Sequence, residues 1–190
     1  MNWILASGSP RRRELLEMLG VPDLTIRPAA GPERATPGAG PEQTVRELAL
    51  HKAQEVAQTC APEDIIIAAD TIVYLDGAIL GKPKDHDDAV RMLTALSGRE
   101  HIVYTGVAVL RGGELRQAAG RTAVRFRTLT PEEIERYIAT GEPMDKAGAY
   151  GIQGRGALFV AHLDGDYFNV MGLPLCRLGQ LLNELGVELL

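Results

Sequence analysis

The sequence predicts an α/β chain, and three observations predict it. Ile65 to Ala69 is a continuous apolar run rich in β-branched residues, the pattern of a strand buried on both faces. Ser9-Pro10 with Gly20, and Thr130-Pro131-Glu132-Glu133, carry the start and stop chemistry of helices. Asp76-Gly77 and Gly112-Gly113 are tight-turn dipeptides between apolar segments, as hairpins require.

In chain order, Asn2 to Ala6 reads as a short strand ending at Ser7-Gly8. Ser9 then caps a helix with Pro10 in its first turn and Gly20 as its stop, with Leu15, Leu16, Met18 and Leu19 expected as one apolar stripe. Arg11, Arg12 and Arg13 crowd the first turn, the wrong end for cations because the helix dipole and free N–H groups already favour negative charge there. A bound anion resolves the conflict: free amides, the hydroxyls of Ser7 and Ser9 and the guanidinium forks make a phosphate site. The alternative is three solvated arginines on a surface turn. On that dipole argument alone, removing Arg12 leaves the fold as stable or slightly more so.

Pro28 to Pro41, with four prolines and three glycines, predicts a loop whose only acidic residue is Glu33. A helix follows from Gly40-Pro41 to about Thr59, with Val45, Leu48, Ala49 and Val56 inward. Lys52 falls on that apolar stripe, either snorkelling along it or turned into a site. Next, Asp70 interrupts the strand run before Ile72 to Leu75, and the segment reads as strand, kink and hairpin, with Ala78 to Leu80 as the return. An aspartate there is either an Asx-type turn residue or an active-site carboxylate, because unpaired burial costs several kcal/mol. Gly81-Lys82-Pro83-Lys84 fails the phosphate-loop spacing, and Pro83 stands where a metal-binding hydroxyl belongs. Asp85 caps a helix to Ser97, and His101 to Leu110 and Leu115 to Arg127 are two long strands. Met144 to Gly156 is glycine-dense, so backbone can approach a ligand closely, with Lys146, Gln153 and Arg155 as polar heads; a purely structural loop is the other reading. Ala157 to Leu163 and Tyr167 to Val170 read as a hairpin across Asp164-Gly165, and Pro174 to Leu185 as a final helix.

At 190 residues the chain fits a single domain over 1–190, with an ordinary 45% hydrophobic and 24% charged composition. A net charge of −5 and nine aromatic residues argue against a nucleic-acid-binding protein. Cys60 and Cys176 have neither disulfide-framework nor ligand spacing, and no signal peptide or 18-residue apolar run is present. A cytoplasmic protein without a membrane partner is the expectation. The four histidines are scattered, so no His-based metal site or triad is legible.

Four stretches taken together resemble the Maf family of nucleotide pyrophosphatases: Ala6-Ser-Gly-Ser-Pro-Arg-Arg-Arg-Glu-Leu-Leu16, Ala68-Ala-Asp-Thr71, Gly81-Lys-Pro83 and Asp145-Lys-Ala-Gly-Ala-Tyr-Gly-Ile-Gln-Gly154. The likeness extends to Gly172-Leu-Pro174. It implies an elongated, curved, mixed sheet flanked by helices around a deep cleft, as in inosine triphosphatase-like folds. It implies cleavage of a nucleoside triphosphate to the monophosphate and pyrophosphate with Mg²⁺ or Mn²⁺, and the Gln153 form of the last motif is similar to the subgroup acting on dTTP and UTP. By position, Asp70 matches the general base or metal-side carboxylate, with Lys82 and Glu33 in the catalytic set and Asp70 and Glu33 as metal ligands. Ser7, Ser9, Arg11, Arg12, Lys52, Lys82 and Lys146 fall among the substrate contacts, and Arg11, Thr71 and Gln153 match positions tied to base selection. Where the family often has an acidic pair, this chain has Pro32-Glu33. A nucleotide-binding regulator of septum formation that does not turn its ligand over is the competing class. The sequence leaves a homodimer open.

Overall fold

The computed structural model describes residues 1–32 and 34–190, so the expectation for Glu33 lies outside the described residues. In order the chain forms β1 (Trp3–Leu5), α1 (Pro10–Met18), β2 (Leu24–Ile26), α2 (Pro41–Ala57), β3 (Ile65–Leu75), β4 (Ala78–Leu80), α3 (His86–Leu96), β5 (Glu100–Arg111), β6 (Glu114–Phe126) and α4 (Pro131–Ile138). Three 3-10 turns, Glu142–Asp145, Ala147–Ala149 and Gly154–Phe159, precede β7 (Val160–Asp164), α5 (Tyr167–Met171) and α6 (Leu175–Glu184). Among the described residues seven strands form one sheet in the order β2-β1-β3-β5-β6-β7, with β4 on β3. It is mixed: β1 runs parallel to β2 and β3, whereas β4 is antiparallel to β3 and β7 to β6. No helix among the described residues is long and apolar enough to cross a membrane.

The contacts gather into two units, one of Met1–Asp70, Thr105–Gly120 and Gly172–Leu190, the other of Thr71–Tyr104 and Arg121–Met171. In the first, α2 presses Ala49, Ala53 and Val56 onto Ile4, Ala6, Ile66, Ala68 and Ala108, a contact made mostly of alanines. Small side chains let helix and sheet approach closely. At Gly106 on β5 a Cβ would lie 2.1 Å from the Val45 carbonyl oxygen of α2, so only glycine fits that crossing.

In the second unit α3 and α4 close over a core that includes Leu93, Leu96, Val124, Phe126, Ile134 and Phe159. The Asp85 carboxylate accepts from the Asp88 amide at 2.8 Å at the start of α3. The expected capping box of α4 is formed: Thr130 Oγ1 accepts from Glu133 N at 3.3 Å, and Glu133 Oε2 from Thr130 N at 2.9 Å. Glu133 also takes two bonds from the Arg127 guanidinium, which with the Thr130 amide hold its carboxyl down to about 2.

Three expectations are corrected. β3 is one unbroken strand through Asp70, with no kink, and turns only at Asp76 and Gly77, both at positive φ. Ala157 to Val170 is not a hairpin: residues 154–159 are a 3-10 turn, β7 pairs with β6, and Tyr167–Met171 is helical. The Asp166 carboxylate accepts from the Phe168 amide at 2.8 Å and so starts a helix where a strand was expected. In α1 only Leu15 and Leu16 are buried, while Met18, the last residue of this nine-residue helix, is 59% exposed.

Candidate active site

The β1–α1 turn carries the first group of predicted residues. Ser9 has extended backbone and Pro10 occupies the first turn, but the Ser9 side chain makes no capping bond, and the first turn holds no acidic residue. The three arginines diverge. Arg13 pairs with Glu17 at 2.7 Å on the exposed face. Arg12 turns back: its Nη1 donates to Ser7 Oγ at 3.0 Å and its Nε to the Gly172 carbonyl at 2.7 Å. Ser7 Oγ also accepts from the Ser9 amide at 3.3 Å. Arg11 is partly buried. Two hydrogen bonds therefore add a structural cost to losing Arg12 that the dipole argument leaves out. Arg12→Ala is expected to lower stability by about 1 kcal/mol in urea denaturation while weakening nucleotide use. Unchanged kinetics with lost stability would assign Arg12 to the fold alone.

In the same unit, the alanine contact seats α2 so that Lys52 reaches β3. Lys52 Nζ lies 2.5 Å from Asp70 Oδ1, with side-chain exposures of 19% and 12%. The lysine on the apolar stripe thus meets the aspartate in the apolar strand, and each explains the other. The ion pair also explains why β3 need not kink to keep Asp70 wet. A carboxylate there is a hard oxygen donor, and among the described residues no three His, Cys, Asp or Glu side chains gather as a metal cage. That donor set suits Mg²⁺ or Mn²⁺ shared with substrate phosphates, since Mg²⁺ takes one or two carboxylates plus phosphate oxygens and waters.

The second unit holds the other predicted residues. Thr71 follows Asp70 in β3, where successive side chains point to opposite faces. Lys82 is exposed just past β4. Beside it the Gly81 carbonyl accepts from Gly148 N at 3.0 Å, so the glycine-rich segment is bonded to the Lys82 turn. Gly148 has φ +69°, and a Cβ there would press Val73 at 2.8 Å. Lys146 donates to the Glu142 carbonyl at 2.6 Å and to Asp145 at 2.7 Å, so its ammonium is engaged by the loop itself. Gln153 is half-buried between buried Ile152 and exposed Gly154.

Under this loop lie residues the sequence reading did not single out. Tyr137 on α4 donates to Glu142 Oε1 at 2.9 Å and accepts from Gly151 N at 3.2 Å. Glu142 also accepts from Arg155 N and Gly156 N, both at 3.1 Å. Burial opposes charge on Glu142, but the two amides, the phenol and Lys146 outweigh it and hold its carboxyl below its ordinary value. Tyr150 meets buried His101, with Oη 2.7 Å from Nε2. The His101 ring stands edge-on to Phe126 and Tyr150, and its Nδ1 has no hydrogen-bond partner among the described residues. Burial depresses His101 to about 4. No local sequence pattern marks this framework, because its members meet through hydrogen bonds across loops.

A family model described as "Maf-like protein" matches residues 2–185. A dTTP/UTP pyrophosphatase of Moorella thermoacetica is 54% identical over 187 residues, covering 97% of this chain and 95% of that protein. The protein of the same description from Chromobacterium violaceum is 51% identical, covering 97% and 95%. A solved HAM1 protein from Coxiella burnetii shares the fold, with a TM-score of 0.53 at 16% identity over 97% of this chain and 99% of that one. With a family model spanning nearly its whole length and relatives at half identity, the chain belongs to the Maf-like protein family.

Proposed function

We propose that this protein, residues 1–190 acting as one catalytic domain, hydrolyses dTTP and UTP to the monophosphate and pyrophosphate. The observation that carries the reading is the full-length likeness to relatives described as dTTP/UTP pyrophosphatases. The Lys52–Asp70 pair and the arginine-rich start of α1 support it with chemistry that such a reaction needs.

In the proposed reaction, water attacks the α-phosphorus, a new P–O bond forms, and the bond to the bridging oxygen breaks with pyrophosphate leaving. Asp70 orients the water and takes its proton. Lys52, 2.5 Å from Asp70 Oδ1, orients the carboxylate until substrate arrives. Arg11, Arg12, Lys52 and Lys82, with the hydroxyls of Ser7 and Ser9, neutralise triphosphate oxygens, and the amides of the first α1 turn add fixed positive dipole. Asp70, with Glu33 as the second proposed ligand, would hold Mg²⁺ or Mn²⁺, which when bound would supply charge neutralisation and polarisation of the phosphate oxygens. Lys146 is proposed as a further contact from the glycine-rich loop. Arg11, Thr71 and Gln153 select the base.

Gln153 carries one acceptor and two donors on a planar amide. Uracil and thymine offer O4 as acceptor beside N3–H as donor, so one amide satisfies both. Cytosine reverses that edge and leaves the amide mispaired, which a hydrogen-bonding site can reject by up to ~10⁴-fold. Incubation with dTTP, UTP and CTP and product identification is therefore expected to place dTTP and UTP well ahead of CTP. Gln153→Ala is expected to erode that preference more than it lowers affinity for pyrophosphate. Equal hydrolysis of CTP and UTP by the wild-type protein would sink the base-selection reading.

A further inference from the structure

The loop that carries Gln153 is held by a device that no part of the proposed chemistry uses. Gly151 and Gly156 touch: a Cβ on Gly156 would lie 2.3 Å from the Gly151 carbonyl and 2.8 Å from the Tyr137 hydroxyl. The chain between them is therefore pinched into a short excursion with Gln153 near its tip. One carboxylate secures the return limb. Glu142 Oε2 accepts from Arg155 N and Oε1 from Gly156 N, both at 3.1 Å. Gly154, at φ +67°, leaves room for that carboxylate; a Cβ there would stand 2.8 Å from Oε2. The outgoing limb hangs on the same group through one oxygen: Gly151 N donates to Tyr137 Oη at 3.2 Å, and Tyr137 donates to Glu142 Oε1 at 2.9 Å.

Two amides on one side of Gln153 and one on the other thus converge on a phenol–carboxylate pair. Backbone amides spaced so closely around a single residue fix where its Cα sits and how its side chain departs. Hydrogen-bond selection tolerates little error there, because a site a fraction of an ångström too loose accepts either edge of a base. Tyr137 is itself fixed by its ring, edge-on to Phe159 at 4.8 Å. We propose that Glu142, acting with the Tyr137 hydroxyl, is the positioning residue that presents Gln153 to the nucleobase and so sets selectivity for uracil and thymine. This rests on the base-selection reading above.

The test compares Glu142→Gln and Tyr137→Phe with the wild-type protein. The measurements are kcat/KM for UTP and for CTP, inhibition by pyrophosphate, and amide hydrogen exchange across residues 151–156. Tyr137→Phe removes one oxygen and keeps the ring against Phe159, so it decides the matter if Glu142→Gln does not fold. The expected result is a fall of at least ~10-fold in the UTP-to-CTP ratio. Faster exchange in 151–156 and pyrophosphate inhibition within about twofold of wild type are expected beside it. A ratio unchanged in the folded variants, including the case where both nucleotides slow equally, overturns the inference and leaves Glu142 a structural residue. A wild-type protein that does not distinguish UTP from CTP overturns the base-selection reading itself, and the inference with it.

Discussion

Asp70→Asn is expected to cut turnover of dTTP and UTP by roughly 10²-fold or more while the protein remains folded. The substitution keeps the shape of the side chain and removes its charge and basicity. Its amide oxygen can still accept from Lys52, so the fold keeps a hydrogen bond where it had an ion pair. The loss in stability is then a part of the 3–5 kcal/mol that follows from stranding a buried partner. Lys52→Met leaves the carboxylate in place but removes the cation 2.5 Å away, which is also a proposed triphosphate contact, so a loss of both stability and turnover is expected. Steady-state kinetics alongside urea denaturation read both. A near-normal kcat for Asp70→Asn, with metal dependence intact, would remove Asp70 from the chemistry.

Acid is expected to weaken the fold through His101, on the order of 3 kcal/mol by pH 4. His101 is 2% exposed, and burial depresses it to about 4 from its ordinary 6.5. Between those two values the unfolded chain binds the proton and the folded one does not, so unfolding takes up a proton and stability falls as pH drops. Above pH 6.5 both states are neutral at this residue and the effect vanishes. The difference of 6.5 − 4, about 2.5 units at 1.36 kcal/mol each, sets the magnitude. Urea denaturation from pH 7.5 to 4, with His101→Phe as reference, checks it. Phe fits an edge-on aromatic cluster but cannot take the proton, so its stability curve is expected to be flatter over this range. Parallel curves for the two proteins would mean that His101 takes up its proton as readily in the fold as in the unfolded chain. Acid loss from Glu133 falls lower, between its ordinary range and about 2, and so is separable.

How far the sequence revealed this molecule depended on how local each cause was. Helix starts were legible because a cap acts over three or four residues, and the box at Thr130 and Glu133 formed as written. The two long strands and the turn at Gly112-Gly113 were legible from apolar runs and paired glycines. The kink at Asp70 was misread because its remedy, Lys52, lies 18 residues away on another element. Tyr167 to Val170 was misread because four apolar-rich residues carry no period. What makes them helical includes buried Asn169, whose amide donates to the Val103 carbonyl and to Thr122 Oγ1. Of the candidate site, the residue types were legible as conflicts with their surroundings: cations at a helix start, a lysine on an apolar stripe. The framework beneath Gln153 was not, since Tyr137, Glu142 and Gly151 are joined by hydrogen bonds across loops that have no sequence periodicity.

The glycine at position 106 has no chemistry of its own, yet its bareness reaches the chemistry. Its Cα faces the peptide of Val45, and Lys52 sits seven residues further along the same rigid helix, about 10 Å at a helical rise of 1.5 Å per residue. A methyl group at 106 would shove α2 off its bed, and the helix would carry the Lys52 ammonium away from Asp70 like the far end of a lever. A blind screen for inactive variants would then return Gly106→Ala among the presumed chemical knockouts, from a position that touches neither water nor nucleotide.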